Sequence, residues 1–140
     1  MANIVPNSFK QELLSATHDF TPSTGNTFHI ALYSTVSGFS AATTAYTTTN
    51  EASGTNYSAG GTALTNTTLT LSGTVAVASF SDITFSSVTL TASAALIYNT
   101  TEANKAVVVL DFGGDKTATN GDFTIEFPTA DSSNAIIRIA

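Results

Sequence analysis

His18 and His29 are the only imidazoles in the chain, and ten acidic residues supply its side-chain carboxylates. A nucleophilic hydroxyl needs a positioned base of this kind beside it. His18 falls at the end of an N-terminal helical pattern, where a partly charged imidazole suits the helix dipole. His29 falls on the polar face of a strand pattern, with a surface or interface role. No His-x-His or His-x-x-x-His pair seeds a zinc site. With no cysteine, neither a disulfide nor a thiolate metal site can form. Gly113-Gly114-Asp115-Lys116-Thr117 approximates the end of a phosphate loop, but Asp115 stands where glycine is needed before the lysine. Asn120-Gly121 then turns into a strand, so no helix N-terminus is there to meet a phosphate. Asp111-Phe112-Gly113 matches a kinase triplet in a chain far too short for a kinase. Asp111, Asp115 and Asp122 could share one loop with Asn120, and such hard oxygen ligands bind calcium. Their spacing fits no calcium-loop pattern, so solvated loop acids are expected. Three glycosylation sequons, at Asn56, Asn66 and Asn99, are read as accidents of a Thr-rich chain. The expectation is a protein without cofactor, metal or catalysis.

The elements around these residues are constrained by composition. A chain of 140 residues makes one domain of ordinary size, large enough to bury a core without cross-links. Four basic residues against ten acidic ones give a net charge of -6. Lys10, Lys105, Lys116 and Arg138 form no cluster, which argues against nucleic acid as a partner. The start, Met-Ala-Asn-Ile-Val-Pro, lacks the basic and apolar regions of an export signal, so a soluble chain made in a cytoplasm is expected. The longest apolar run, Ala106 to Leu110, is far too short for a membrane helix. Thr is the commonest residue. A β-branched side chain with one hydroxyl suits the outer face of a strand.

Ser8 and Gln11 stand at capping-box spacing, and Phe9 and Leu13 follow at i and i+4, which predicts a short helix over 8–18. Such a helix is marginal alone. Burial of Phe9 and Leu13, at about 1.5–3 kcal/mol each, must fix it against the β domain or a partner. A turn-rich hinge, Thr21 to Asn26, separates it from the rest. Beyond the hinge the period becomes two: Phe28, Ile30 and Leu32 first, then Leu69 and Leu71, Val75 and Val77, Ile83 and Phe85, Val88 and Leu90. Leu96 and Tyr98, Phe123 to Phe127, and Ile137 and Ile139 continue it. Ala106 to Leu110 reads as a central strand, with turns at Ser72-Gly73 and Asn120-Gly121. The pattern predicts an all-β protein, a β-sandwich or jelly roll with one short N-terminal helix and a long extended arm. Residues 1–25 form the helical attachment segment and hinge, and residues 26–140 the β-sandwich domain. The arm, Ser34 to Thr62, is expected to be pinned by Phe39, Tyr46 and Tyr57.

The run Tyr46-Thr-Thr-Thr-Asn-Glu51-Ala-Ser-Gly54-Thr-Asn-Tyr57-Ser-Ala-Gly60-Gly61, after the strand Phe28-His-Ile-Ala-Leu-Tyr33, is the most distinctive stretch. It resembles small virion proteins of tailed bacteriophages, marine and cyanobacterial ones among them, and the resemblance runs from Phe9 to Ile139. It implies a component of the phage particle: a decoration or cement protein on the capsid surface, with the major capsid protein as partner and self-association as a further option. Phe9, Leu13, Phe39, Tyr46 and Tyr57 are then candidate partner-interface residues. The competing reading is a tail, baseplate or fibre component with a host-binding role.

Overall fold

The computed structural model describes residues 3–140. Helix α1 (Asn7–Leu14) is followed by strands β1 (Phe28–Tyr33), β2 (Thr62–Ala63), β3 (Asn66–Ser72), β4 (Val75–Phe80), β5 (Ile83–Asn99), β6 (Lys105–Ile125) and β7 (Ile137–Ile139). They build two antiparallel sheets, ordered β2-β1-β5-β6 and β3-β4-β7. The protein is all-β with one short helix, as the period-two patterning requires. No helix among the described residues is long and apolar enough to cross a membrane.

Period two is visible where one strand face meets the core, and bulges explain where it slips. Ile83–Phe85 and Val88–Leu90 look like separate strands but belong to β5. Ser87, at φ 54°, adds a residue between Phe85 and Val88 and so moves the buried set to the other parity. In β6 the residues Phe112 to Asp115 stand opposite Ser93 alone, between the pairs Ala94–Asp111 and Ala92–Lys116. This wide bulge bends the strand sharply. Phe112 and Phe123 would be about 35 Å apart along a straight strand, yet their ring centroids are 6.1 Å apart. The Asn120-Gly121 pair does not reverse the chain as expected. Gly121 stays opposite Val88, and Asn120, at φ 45°, marks a second bulge. The expected acidic loop is therefore part of β6. Ser72-Gly73 does make the β3–β4 hairpin turn, with Gly73 at φ 64°.

Ala106–Leu110 is buried on both faces although β6 ends the four-stranded order. Other segments cover its edge in place of a strand. Ile4 exchanges backbone hydrogen bonds with Val109 at 2.9 and 2.8 Å, and Ala106 donates to the Thr44 carbonyl at 3.0 Å.

Helix α1 is shorter than its periodicity suggests. Ala16 takes a left-handed conformation, φ 59°, and its N–H bonds the Leu13 carbonyl, closing the last turn. Pro6 occupies the cap in place of Ser8, whose hydroxyl reaches the Thr43 carbonyl instead. Phe9 is buried in one cluster with Phe20, Phe28 and Phe80, its own ring meeting Phe20 at 6.2 Å. Phe20 and Phe28 stack at 4.5 Å. The expected hinge is clasped, for Asn26 donates to the Asp19 carbonyl at 2.8 Å and its side chain accepts from the Asp19 N–H at 2.9 Å. Segment 1–25, as far as it is described, thus shares one core with both sheets.

Candidate functional site

The segment between β1 and β2 has no regular strand of its own, so its backbone groups and polar side chains need partners. It meets them by short antiparallel bridges, Glu51 with Tyr33 and Thr55 with Thr89. Ala52 donates to the Leu32 carbonyl at 2.8 Å. Glu51 is thereby held against the end of β1, and its carboxylate becomes a node. Oε2 accepts from the Tyr46 hydroxyl at 2.6 Å. Oε1 accepts from the Tyr57 hydroxyl at 2.8 Å and from the Gly60 N–H at 2.6 Å. Tyr57 also accepts from the Leu32 N–H at 2.9 Å, and Tyr98 donates to the Gly60 carbonyl at 2.6 Å. Tyr33 closes the group by donating to the Thr47 carbonyl at 2.7 Å.

The glycines of the same run have steric reasons. A Cβ on Gly54 would run into the Thr89 carbonyl, and one on Gly61, at φ 74°, into the Ile30 carbonyl. Both positions let the segment lie directly on the sheet backbone.

Burial, reinforced by the negative charge of Glu51, raises all four phenols above their ordinary range. A phenol in that state is a hydrogen-bond donor, whereas acid–base or nucleophilic work at neutral pH calls for a lowered one. The chemistry this cage performs is to fix the loop.

The five candidate interface residues are placed differently. Phe9 lies in the core. Leu13 packs partly buried against it. Phe39 sits edge-on to Tyr33, centroids 4.8 Å apart, and Tyr46 stacks on Tyr98 at 4.8 Å. Tyr57 leans on Phe85 at 5.7 Å. The structure brings Tyr46 and Tyr57 together through Glu51, a residue in the distinctive run whose part in it was not apparent. The spacing 46, 51, 57 follows neither a helical nor a strand period, so no periodicity reveals the node.

His18 lies beyond the helix end, buried, with its centroid 5.0 Å from Phe9. The Asn99 amide donates to its Nδ1 at 3.0 Å, an orientation set because Asn99 Oδ1 accepts from the Thr101 and Glu102 N–H groups. The imidazole proton therefore sits on Nε2 and faces Glu12 Oε1 at 3.2 Å. Asp111, Asp115 and Asp122 are strung along β6, and among the described residues no group of three or more His, Asp or Glu could hold a metal ion.

A second feature lies on the smaller sheet. The register places Leu69, Ala78 and Ile137 in one cross-strand row and Leu71, Ala76 and Ile139 in the next, all on one face. At the Ala78 end the face joins the core. At the other end it is open: Leu71 is 69% exposed and Ile139 54%. A depression of about 350 Å³ separates this face from α1 and is lined by Leu13, His18, Phe20, Leu69, Ile137 and Ile139. Leu14 stands outside the core on the helix, 93% exposed. No protein-family model, no curated protein and no solved structure matches the chain.

Proposed function

We propose that the chain is a structural component of a bacteriophage particle, a decoration or cement protein that binds the capsid surface and bridges neighbouring major capsid subunits. The observation that carries this reading is the open apolar face of β3, β4 and β7. Contiguous exposed apolar rows on a small domain mark a contact surface. Burying Leu69, Leu71, Ile139 and Leu14 against a shell subunit would contribute about 1.5–3 kcal/mol for each side chain fully covered. The distinctive run from Tyr46 to Gly61 supports the reading in another way. Its phenols and carboxylate are used to make the loop rigid, as suits a protein whose work is to hold a shape. The chain gains nothing for a shell by binding one subunit alone. Bridging two makes their separation require the loss of the cement contacts as well.

The test is attachment. Purified chain is mixed with particles that lack it and the bound fraction is measured by sedimentation, for the wild type and for Leu71→Lys with Ile139→Lys. Both substituted positions are exposed, so the variant is expected to fold with an unchanged melting temperature and to lose attachment at least about tenfold, the loss of roughly 1.4 kcal/mol or more. Undiminished attachment of a folded variant would remove this face from the reading.

A further inference from the structure

The sharp bend of β6 leaves a groove of about 640 Å³ between the two halves of that strand. Val108 and Leu110 line one wall, and Phe123 and Ile125 the other. Thr124 and Glu126, which alternate with Phe123 and Ile125, line it too. Neighbours from both faces of a pleated strand can touch one groove only where it runs along the strand's edge. That edge is open. From Thr117 to Ile125 β6 pairs with β5 on one side, and among the described residues no backbone hydrogen bond reaches it from the other. The first half of β6 differs, since Ile4 and Thr44 cover it.

We propose that this edge is a strand-addition site for an extended segment of a partner protein with apolar side chains on one face and basic ones on the other. A strand laid beside residues 121–125 would satisfy the free N–H and C=O groups there and turn alternate side chains inward beside Phe123 and Ile125. The others would point outward beside Asp122, Thr124 and Glu126, which fall on the opposite parity. Two of those three are acidic, and Glu126 has no hydrogen-bond or ion partner among the described residues, so Lys or Arg is the complementary neighbour. A chain of net charge -6 offers such a segment a favourable field throughout its approach. The Asn120 bulge interrupts the edge, so the regular stretch it offers a partner is residues 121–125. The proposal rests on the particle reading for where the partner resides, and on the groove alone for its chemistry.

The probe is a short synthetic peptide in which valine and lysine alternate, with a valine–glutamate peptide as control. Amide hydrogen exchange of the full-length protein is followed by NMR. The lysine peptide is expected to slow the outward-pointing amides within residues 121–125 by about tenfold or more while leaving β3 unchanged. Glu126→Lys, at an exposed position, is expected to weaken it by about fivefold and to favour the glutamate peptide. Protection elsewhere, equal binding of both peptides, or saturation of the groove by the apolar dye anilinonaphthalene sulfonate with no protection by either peptide would overturn the proposal. A protein that stabilises particles without this protection leaves the particle reading standing and removes the groove. Protection without particle binding does the reverse.

Discussion

Tyr33, Tyr46, Tyr57 and Tyr98 surround one carboxylate, and their ionisation is linked to folding. Each phenol is raised in the folded chain above its unfolded value of about 10, because burial and the Glu51 charge penalise the phenolate. A raised value means that the folded state binds these protons more tightly. Their contribution to stability is therefore complete below about pH 10 and is lost as pH climbs above it toward the folded values. Since the chain has only these four tyrosines, phenolate absorbance is expected to stay silent in the folded protein and to appear together with the loss of circular dichroism. A phenolate signal with an ordinary midpoint in a protein still folded would show that the Glu51 cage is open in solution. The aromatic members of this cage were legible in the sequence as lone rings in a stretch of small residues. Glu51 was not, because a single carboxylate in a Thr-rich loop looks solvated until the chain path brings two hydroxyls and the Gly60 N–H to it.

Among the elements, β1, β3 and β4 stand where their alternation puts them, although β1 is buried on both faces from Ile30 to Tyr33 and Leu69 and Leu71 of β3 are exposed, while β5 and β6 hide theirs behind bulges. Ser87 shifts the buried parity of β5, and the bulge from Phe112 to Asp115 makes one strand look like two joined by a loop. Bulges of this kind have no local signature strong enough to separate them from turns, which explains why Asn120-Gly121 suggested a reversal. The N-terminal segment offers the converse case. Its amphipathic stripe is visible, but what it covers depends on Phe20, Phe28 and Phe80 meeting across the chain. Removing residues 1–20 strips Phe9 and Phe20 from the core, a loss of about 1.5–3 kcal/mol for each ring against a total stability of about 5–15 kcal/mol for a domain. It also frees the edge of β6 at Val109. The truncated chain is expected to melt far below the full one or not to fold, as measured by thermal circular dichroism. A truncated chain that melts normally but fails to attach to particles would make the segment a separable attachment element.

At the scale of the whole molecule, two all-β sheets share a core and present two surfaces of different character. The β3–β4–β7 face is apolar and open and suits burial against a neighbour. The β6 groove offers backbone groups and acidic side chains and suits an extended segment. A protein with one contact surface can coat a shell, whereas one with two can link its parts. The central claim is that the chain strengthens a phage capsid by such linkage. The measurement closest to it is thermal release of the packaged genome, followed with a dye that reports exposed DNA, for bare particles, particles carrying the wild-type chain, and particles exposed to Leu71→Lys with Ile139→Lys. The account predicts release at a higher temperature only for particles carrying the wild-type chain, with the variant sample melting like bare particles. Equal release temperatures for bare particles and for particles saturated with the wild-type chain would contradict it.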